Sequence, residues 1–306
     1  MKQRLRRKPR WLTLERGDLL PVLLLLPTLV VVLVVLIIPF LYGLFISLFD
    51  YSVGAELTMD RFVGLGNYIQ MFQDKVVRLS VVNTIAFAVL ATAGDLVIGT
   101  LIAVLLNRLS RRAGGILRAI CMMPLLVSPI IVGLIWRYMY DPTSGLLYWF
   151  LGLFGIGTAQ FPGLTSSSTA LISVVIAHWW QITPFVILVV TAGLVSISQD
   201  QYEAAHIDGA GGITTFFKIA LPQLTQTYMV ILVVSGVDTI KVFDIIYALT
   251  QGGPANATMS LSIYAYKNAF EMYRMGYAMA ISILTMVVAF ILFGIPFLRF
   301  NRKEEQ

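Results

Sequence analysis

Residues 19–49 read LLPVLLLLPTLVVVLVVLIIPFLYGLFISLF, thirty-one positions without one charged side chain. About 20 such residues cross a bilayer as a helix. The run is too long for the 7–15-residue apolar core of a signal peptide, despite the basic residues Lys2, Arg4, Arg6, Arg7, Lys8, Arg10 and Arg16 before it. No small-x-small cleavage site follows, so the stretch reads as a retained first span.

Working outward, five more apolar runs of membrane length follow. The six expected spans are 19–40, 81–106, 116–139, 169–195, 224–249 and 277–298. None shows the two-residue alternation of a membrane barrel strand. Helices are expected, because lipid forces backbone groups to be satisfied within each segment. The whole composition agrees. Of 306 residues, 58% are hydrophobic and 12% charged, half the usual charged share of a soluble domain. That argues against a soluble enzyme. The single cysteine, Cys121, forms no internal disulfide, and two histidines make a poor stock for a metal site.

The net charge of +6 points to topology and not to nucleic acid, since the cations flank the spans. With the N-terminus inside, the inner segments carry fifteen Lys and Arg, among them Arg108, Arg111, Arg112, Arg118 and Lys218; the outer loops carry five. The expected fold is therefore an all-α membrane protein with six transmembrane helices and both termini in the cytoplasm. Residues 1–18 form a basic N-terminal segment, 19–298 the span domain and 299–306 a cytoplasmic tail.

Between spans four and five, residues 199–222 read QDQYEAAHIDGAGGITTFFKIALP. Asp200 is placed to cap a helix carrying Glu203 in its first turn. Ala204 and Ala205 permit close approach of another surface. Gly209, Gly211 and Gly212 break the helix. Ile213, Phe216, Phe217 and Ala220 then fall at i, i+3, i+4 and i+7, one apolar face of a second helix. Pro222 is tolerated at the start of the next span. The result is a cytoplasmic helix–turn–helix elbow built for docking.

Glu203-Ala204-Ala205, then Gly209, then Ile219-x-Leu221-Pro222 resembles the EAA loop of ABC importer permeases. YEAAHIDGA (202–210), FDIIYALTQGGP (243–254), LSIYAYKNAF (261–270) and Gly276-Tyr277-Ala278 resemble the carbohydrate-uptake branch, specifically the counterpart of the larger maltose-importer permease. The large external insertion of that subunit is missing here; loop 141–168 is short. The resemblance implies that Glu203, Ala204, Ala205, Asp208, Gly209, Ala210, Phe217, Ile219, Leu221 and Pro222 contact a cytoplasmic ATPase. It implies as partners a second six-span permease, two ABC ATPase subunits, an extracytoplasmic solute-binding protein that docks near QGGPANAT (251–258), and a sugar-like substrate, all in the cytoplasmic membrane of a bacterium or archaeon. No phosphate loop G-x-x-x-x-G-K-[ST] occurs, so this chain is expected to bind no cofactor, with ATP and Mg held by the partner ATPases.

Polar residues at membrane depth are the candidates for a substrate path. Asp95 lies in span two. Trp179, Trp180 and Gln181 lie in span four, beside His178 and ahead of Pro184. Asp238 and Lys241, at i and i+3 in span five, suit an internal ion pair. Aromatic faces next to hydrogen-bonding groups suit a sugar. Each of these also has a plain packing role open to it. Pro124 and Pro129 interrupt span three. An ion-driven carrier using Asp95, Asp238 and Asp244 is the competing reading, but such a carrier has no need of the elbow. A membrane-embedded enzyme is a third, and for it His178 shows no carboxylate partner in sequence.

Overall fold

The computed structural model describes residues 19–304. The basic segment 1–18 and the last two tail residues lie outside the described residues. Among the described residues all regular structure is helical, apart from one isolated antiparallel bridge between Phe49 and Phe62. In order the helices are α1 (Leu19–Val32), α2 (Ile38–Ile46), α3 (Gly66–Gln73), α4 (Lys75–Asn107), α5 (Arg111–Met122), α6 (Pro129–Met139), α7 (Leu146–Gly152) and α8 (Ala170–Ser196). Then come α9 (Gln199–Ile207), α10 (Gly212–Thr215), α11 (Leu221–Gln223), α12 (Thr225–Ile240), α13 (Asp244–Leu249), α14 (Leu261–Tyr266), α15 (Met275–Ala289) and α16 (Ile295–Glu304).

Four helices are long and apolar enough to cross a membrane unaided: Leu23–Ile46, Lys75–Asn107, Ala170–Ser196 and Met275–Phe300. Span three is broken at the prolines that were expected to interrupt it, and the elbow's second arm enters span five through a bend. Arg112–Leu126 meets Pro129–Met139 at 98°, and Gly212–Gln223 meets Thr225–Ile240 at 64°. In span three the cause is proline. Pro129 forces Ser128 before it into an extended conformation (ψ 138°), and Met123–Leu126 tightens into a 3-10 turn around Pro124. Span five also stops early. Its helix ends at Ile240 and restarts at Asp244, so the run to 249 is two helices.

The centre of the bundle is the α4–α8 pair, which lie side by side and run the same way. Asp95 pairs with Thr183, and Gly99 faces Val186. Glycine permits the approach. A Cβ on Gly94 would sit 2.1 Å from the Trp179 ring, and one on Gly99 would sit 2.6 Å from Val186. Small residues at a helix contact let dispersion replace the hydrophobic drive that lipid removes. The first span is different. From residue 23 on its side chains are almost all exposed, and it touches the bundle near its end, where Gly43 meets Met279 and Ser47 shares a 2.7 Å hydrogen bond with Tyr68.

One carboxylate pins the start of α4. Asp74 accepts the Val76 N–H at 2.7 Å, which caps the helix, and the hydroxyls of Tyr264 (2.7 Å) and Tyr277 (2.8 Å). Burial raises its pKa, but the tyrosine and backbone donors together leave it below the ordinary carboxylate value. Burial and the Asp74 carboxylate push the Tyr264 hydroxyl up to about 12, so it stays a donor. Asp74→Ala removes a cap and two charge-assisted bonds, an expected loss of about 2–3 kcal/mol, measured as a lowered Tm in detergent. Because the folded pKa is depressed, this contribution is complete above the unfolded carboxylate range. It is lost as pH falls through the folded value, so the Tm difference between Asp74→Ala and wild type should shrink in acid.

Candidate coupling elbow and polar centre

α8 ends at Ser196, and extended Ile197 and Ser198 turn the chain out of the bundle. Ser198, not Asp200, occupies the N-cap position of α9. Its hydroxyl makes no cap bond, and Asp200 lies in the first helical turn. There an acidic side chain complements the helix dipole without capping. At the other end, Gly209 takes φ +74°. The Gly209 N–H donates to His206 O (3.1 Å) and the Ala210 N–H to Ala205 O (2.9 Å). These two bonds are the Schellman pattern, which closes a helix through a left-handed residue.

The second arm is Gly212–Gln223, in which Phe216–Ala220 widens into a π turn. Of the apolar face expected for Ile213, Phe216, Phe217 and Ala220, the first three line one groove together, and Ala220 is carried inward beside Phe216. Ala220 is buried, Phe216 half-buried, and Ile213 and Phe217 are exposed. The motif residues sort the same way. Ala205 is buried and Ala210, Ile219 and Leu221 are half-buried, while Glu203, Ala204, Asp208, Gly209, Phe217 and Pro222 are exposed. The two arms are joined by a Gln223–Gln201 side-chain hydrogen bond. The outer surface presents Ile207 at 85% exposure and Ile213 at 76%.

The polar residues of the spans are not one group. Asp95 is fully buried. Its Oδ2 lies 3.2 Å from His178 Nε2, and its Oδ1 accepts the Thr183 hydroxyl at 3.3 Å. The Phe87 ring stands edge-on to His178, with centroids 5.4 Å apart. His178 therefore has the carboxylate partner that sequence did not reveal, from a helix 83 positions earlier. Trp179 donates its indole N–H to Ala91 O (3.0 Å), and Gln181 donates to Val127 O (3.0 Å). Asp95, Trp179 and Gln181 thus tie helices together inside this chain. Trp180 remains 40% exposed, edge-on to Trp136. Asp238 and Lys241 do form an ion pair, at 2.8 Å, but on an open face, with side chains 62% exposed and 66% exposed respectively. Thr239 and Ile240 between them are buried on the opposite side.

Beside Lys241 stands a row of rings that sequence reading did not single out. Phe243, Tyr247, Tyr266 and Phe270 contact one another with centroids 4.9–5.3 Å apart. Lys241, Tyr266 and Phe270 line a groove of about 540 Å³. The signal existed as aromatic spacing in IIYALT and IYAYKNAF, but nothing in one dimension joins α13 to α14.

Loop 251–258 was expected as a turn-rich outer segment near which a binding protein docks. It is mostly tucked in. Thr258 is fully buried and bonds Thr250 (2.7 Å) and Gly253 O (2.8 Å). Asn83 of α4 donates to Asn256 O (2.9 Å) and Met259 O (3.2 Å). Gln251 and Ala255 are its exposed residues. The far end of α4 meets the elbow, where Arg108 lies against Gly212. Loop and elbow are thus about 36 Å apart along α4, more than the hydrocarbon thickness of a bilayer.

Comparison with known proteins accords with this architecture. Residues 95–303 match the model of the binding-protein-dependent transport system inner membrane component. The chain is 39% identical over 282 residues to the trehalose/maltose transport system permease protein MalF of Thermococcus litoralis, covering 92% of each chain. It is 32% identical over 281 residues to the sn-glycerol-3-phosphate transport system permease protein UgpA of Escherichia coli O157:H7, covering 90% of this chain and 92% of that one. Its fold superposes, with TM-score 0.78 and 23% identity, on a chain of a bacterial ABC transporter that imports alginate, covering 94% and 96%. The resemblance read from the elbow and the downstream blocks is borne out: this chain belongs to the family of binding-protein-dependent transport system inner membrane components.

Proposed function

We propose that this chain is one permease half of an ATP-driven importer for a sugar or related polar solute. Six spans place both termini in the cytoplasm, each bent helix pair counting as one span. The elbow docks on a cytoplasmic ATPase, and the opposite end receives an extracytoplasmic binding protein. A second permease completes the path. The chain itself carries out no catalysis, and ATP with Mg is bound by the ATPases.

The observation that carries this reading is the elbow. It presents nearly bare Ile207 at the turn closed by Gly209, flanked by Glu203 and Asp208. An apolar tip rimmed by charges is a poor fit to lipid and a good fit to a protein cleft. A tagged chain isolated from its host in mild detergent should bring down an ATPase with a phosphate loop and a second permease. Recovery of the chain alone after crosslinking would favour the ion-driven carrier.

Within this reading the substrate path lies on the open faces that carry Trp180 and the Asp238–Lys241 pair. Asp95, Trp179 and Gln181 act behind that face by holding the helices. Lys241→Ala should raise the KM for uptake about tenfold at near-normal protein levels, since an exposed pair contributes little to stability. Trp179→Ala should instead lower the amount of folded protein. A Lys241→Ala variant with unchanged KM removes this face from the path.

A further inference from the structure

We propose that the notch between the elbow and the end of α4 is a binding site for an anionic phospholipid. Two cavities meet there. One, of about 750 Å³, is lined mainly by apolar groups, including Val97, Leu101, Leu105, Ile213, Phe217 and Leu221. The other, of about 420 Å³, carries Asn107, Tyr202, His206 and Thr215. Arg108 and Gly212 line both. Sizes of this order are those of ordinary ligand sites.

Arg108 is the only Lys, Arg, Asp or Glu lining either cavity. Among the described residues no carboxylate lies within 4.0 Å of its guanidinium. The sequence from 96 to 140 contains no Asp or Glu that could approach locally. The guanidinium lies across Gly212, where a Cβ would stand 2.8 Å from it. Glycine at 212 therefore leaves the cation its place.

The site also sits at a membrane boundary. Val97, Leu101 and Leu105 are exposed at four-residue spacing along α4, one lipid-type stripe, and Arg108 comes within one further turn. An amphiphile matches this layout. Its acyl chain fills the larger cavity, its phosphate pairs with the Arg108 guanidinium, and its headgroup lies beside Asn107 and His206. A free phosphate would leave the apolar cavity unfilled. A lipid seated there contacts both α4 and the second arm of the elbow, so membrane composition would set how firmly the elbow is braced.

The test uses the full chain with its co-purifying partners, reconstituted in bilayer discs of equal phosphatidylglycerol and phosphatidylcholine. After transfer to detergent, retained lipid is counted by native mass spectrometry. Wild type should retain phosphatidylglycerol in preference. Arg108→Gln should lower that retention about tenfold, the loss of one charge-assisted contact. Arg108→Lys should keep much of it, and Val104→Trp should displace both lipids by filling the apolar cavity. Arg112→Gln, an equal charge change off both cavities, should match wild type. Equal retention by Arg108→Gln and wild type overturns the proposal. So does absence of headgroup preference, or complete displacement of the lipid by inorganic phosphate. Absence of an ATPase from the preparation would count against docking at the elbow and leave the lipid result standing.

Discussion

Gly209→Val abolishes solute uptake while the chain still reaches the membrane. Gly209 holds φ +74° in the turn that joins the two arms of the elbow. A left-handed conformation costs an ordinary L-residue about 1–2 kcal/mol, and a β-branched one more. Space is not the obstacle, since a Cβ at this position meets nothing within 4 Å. The penalty is therefore carried by the backbone. The chain can relieve it by opening the Schellman turn, which frees the Ala210 N–H from Ala205 O and swings Ile207 away from Ile213. The bundle is untouched, so Tm and membrane content should match wild type, while ATPase co-purification and uptake fall together. Gly209→Asn, which tolerates the left-handed region, should retain most activity. Normal uptake by the valine variant would sink the coupling role of this turn.

Asp95→Ala should be the most destabilising single substitution among the polar span residues, by about 3–5 kcal/mol, because it strips a fully buried group of its partner. The alanine leaves His178 Nε2 and the Thr183 hydroxyl facing each other across a hole at the centre of the α4–α8 contact. Neither can turn to water. Asp95→Asn should cost much less, since its carbonyl oxygen still accepts from the Thr183 hydroxyl and its amide N–H points toward Nε2. The measurement is Tm in detergent together with uptake per folded molecule. A strut predicts a large drop in Tm for alanine and normal uptake per folded Asp95→Asn protein. An unchanged Tm in Asp95→Ala with lost uptake would return Asp95 to the substrate path.

These two sites differ in how far one dimension reveals them. The elbow is local. Its helix stop, its glycine turn and its start of span five all depend on neighbours within a few residues, so the EAA spacing carries almost the whole of it. Its N-cap was misplaced by two residues, because Asp and Ser cap about equally well and only the extended backbone at Ser198 shows where the helix begins. The π turn at Phe216–Ala220 was also illegible, since it leaves the residue pattern of an ordinary amphipathic helix unchanged.

The helical, membrane-length segments followed from hydropathy alone, four of them unaided and up to six if each bent pair is one span, because the cost of burying a charge or a bare backbone group in lipid is paid residue by residue. Which polar residue faces which partner did not. Asp95 and His178 are each only a polar residue in an apolar run until α4 and α8 pack in parallel through Gly94 and Gly99. That register is decided by shape across the interface. The Asp238–Lys241 pair shows the converse: its i, i+3 contact was written in the sequence and forms at 2.8 Å, but that it stands on an open face depends on how α12 packs against the other helices. Sequence by itself determined the helical membrane class, the elbow and the local pairs, since each rests on contacts between near neighbours or with lipid. Tertiary structure alone decided which polar groups are struts and which stand open, because that depends on helices meeting across separations of 80 residues and more.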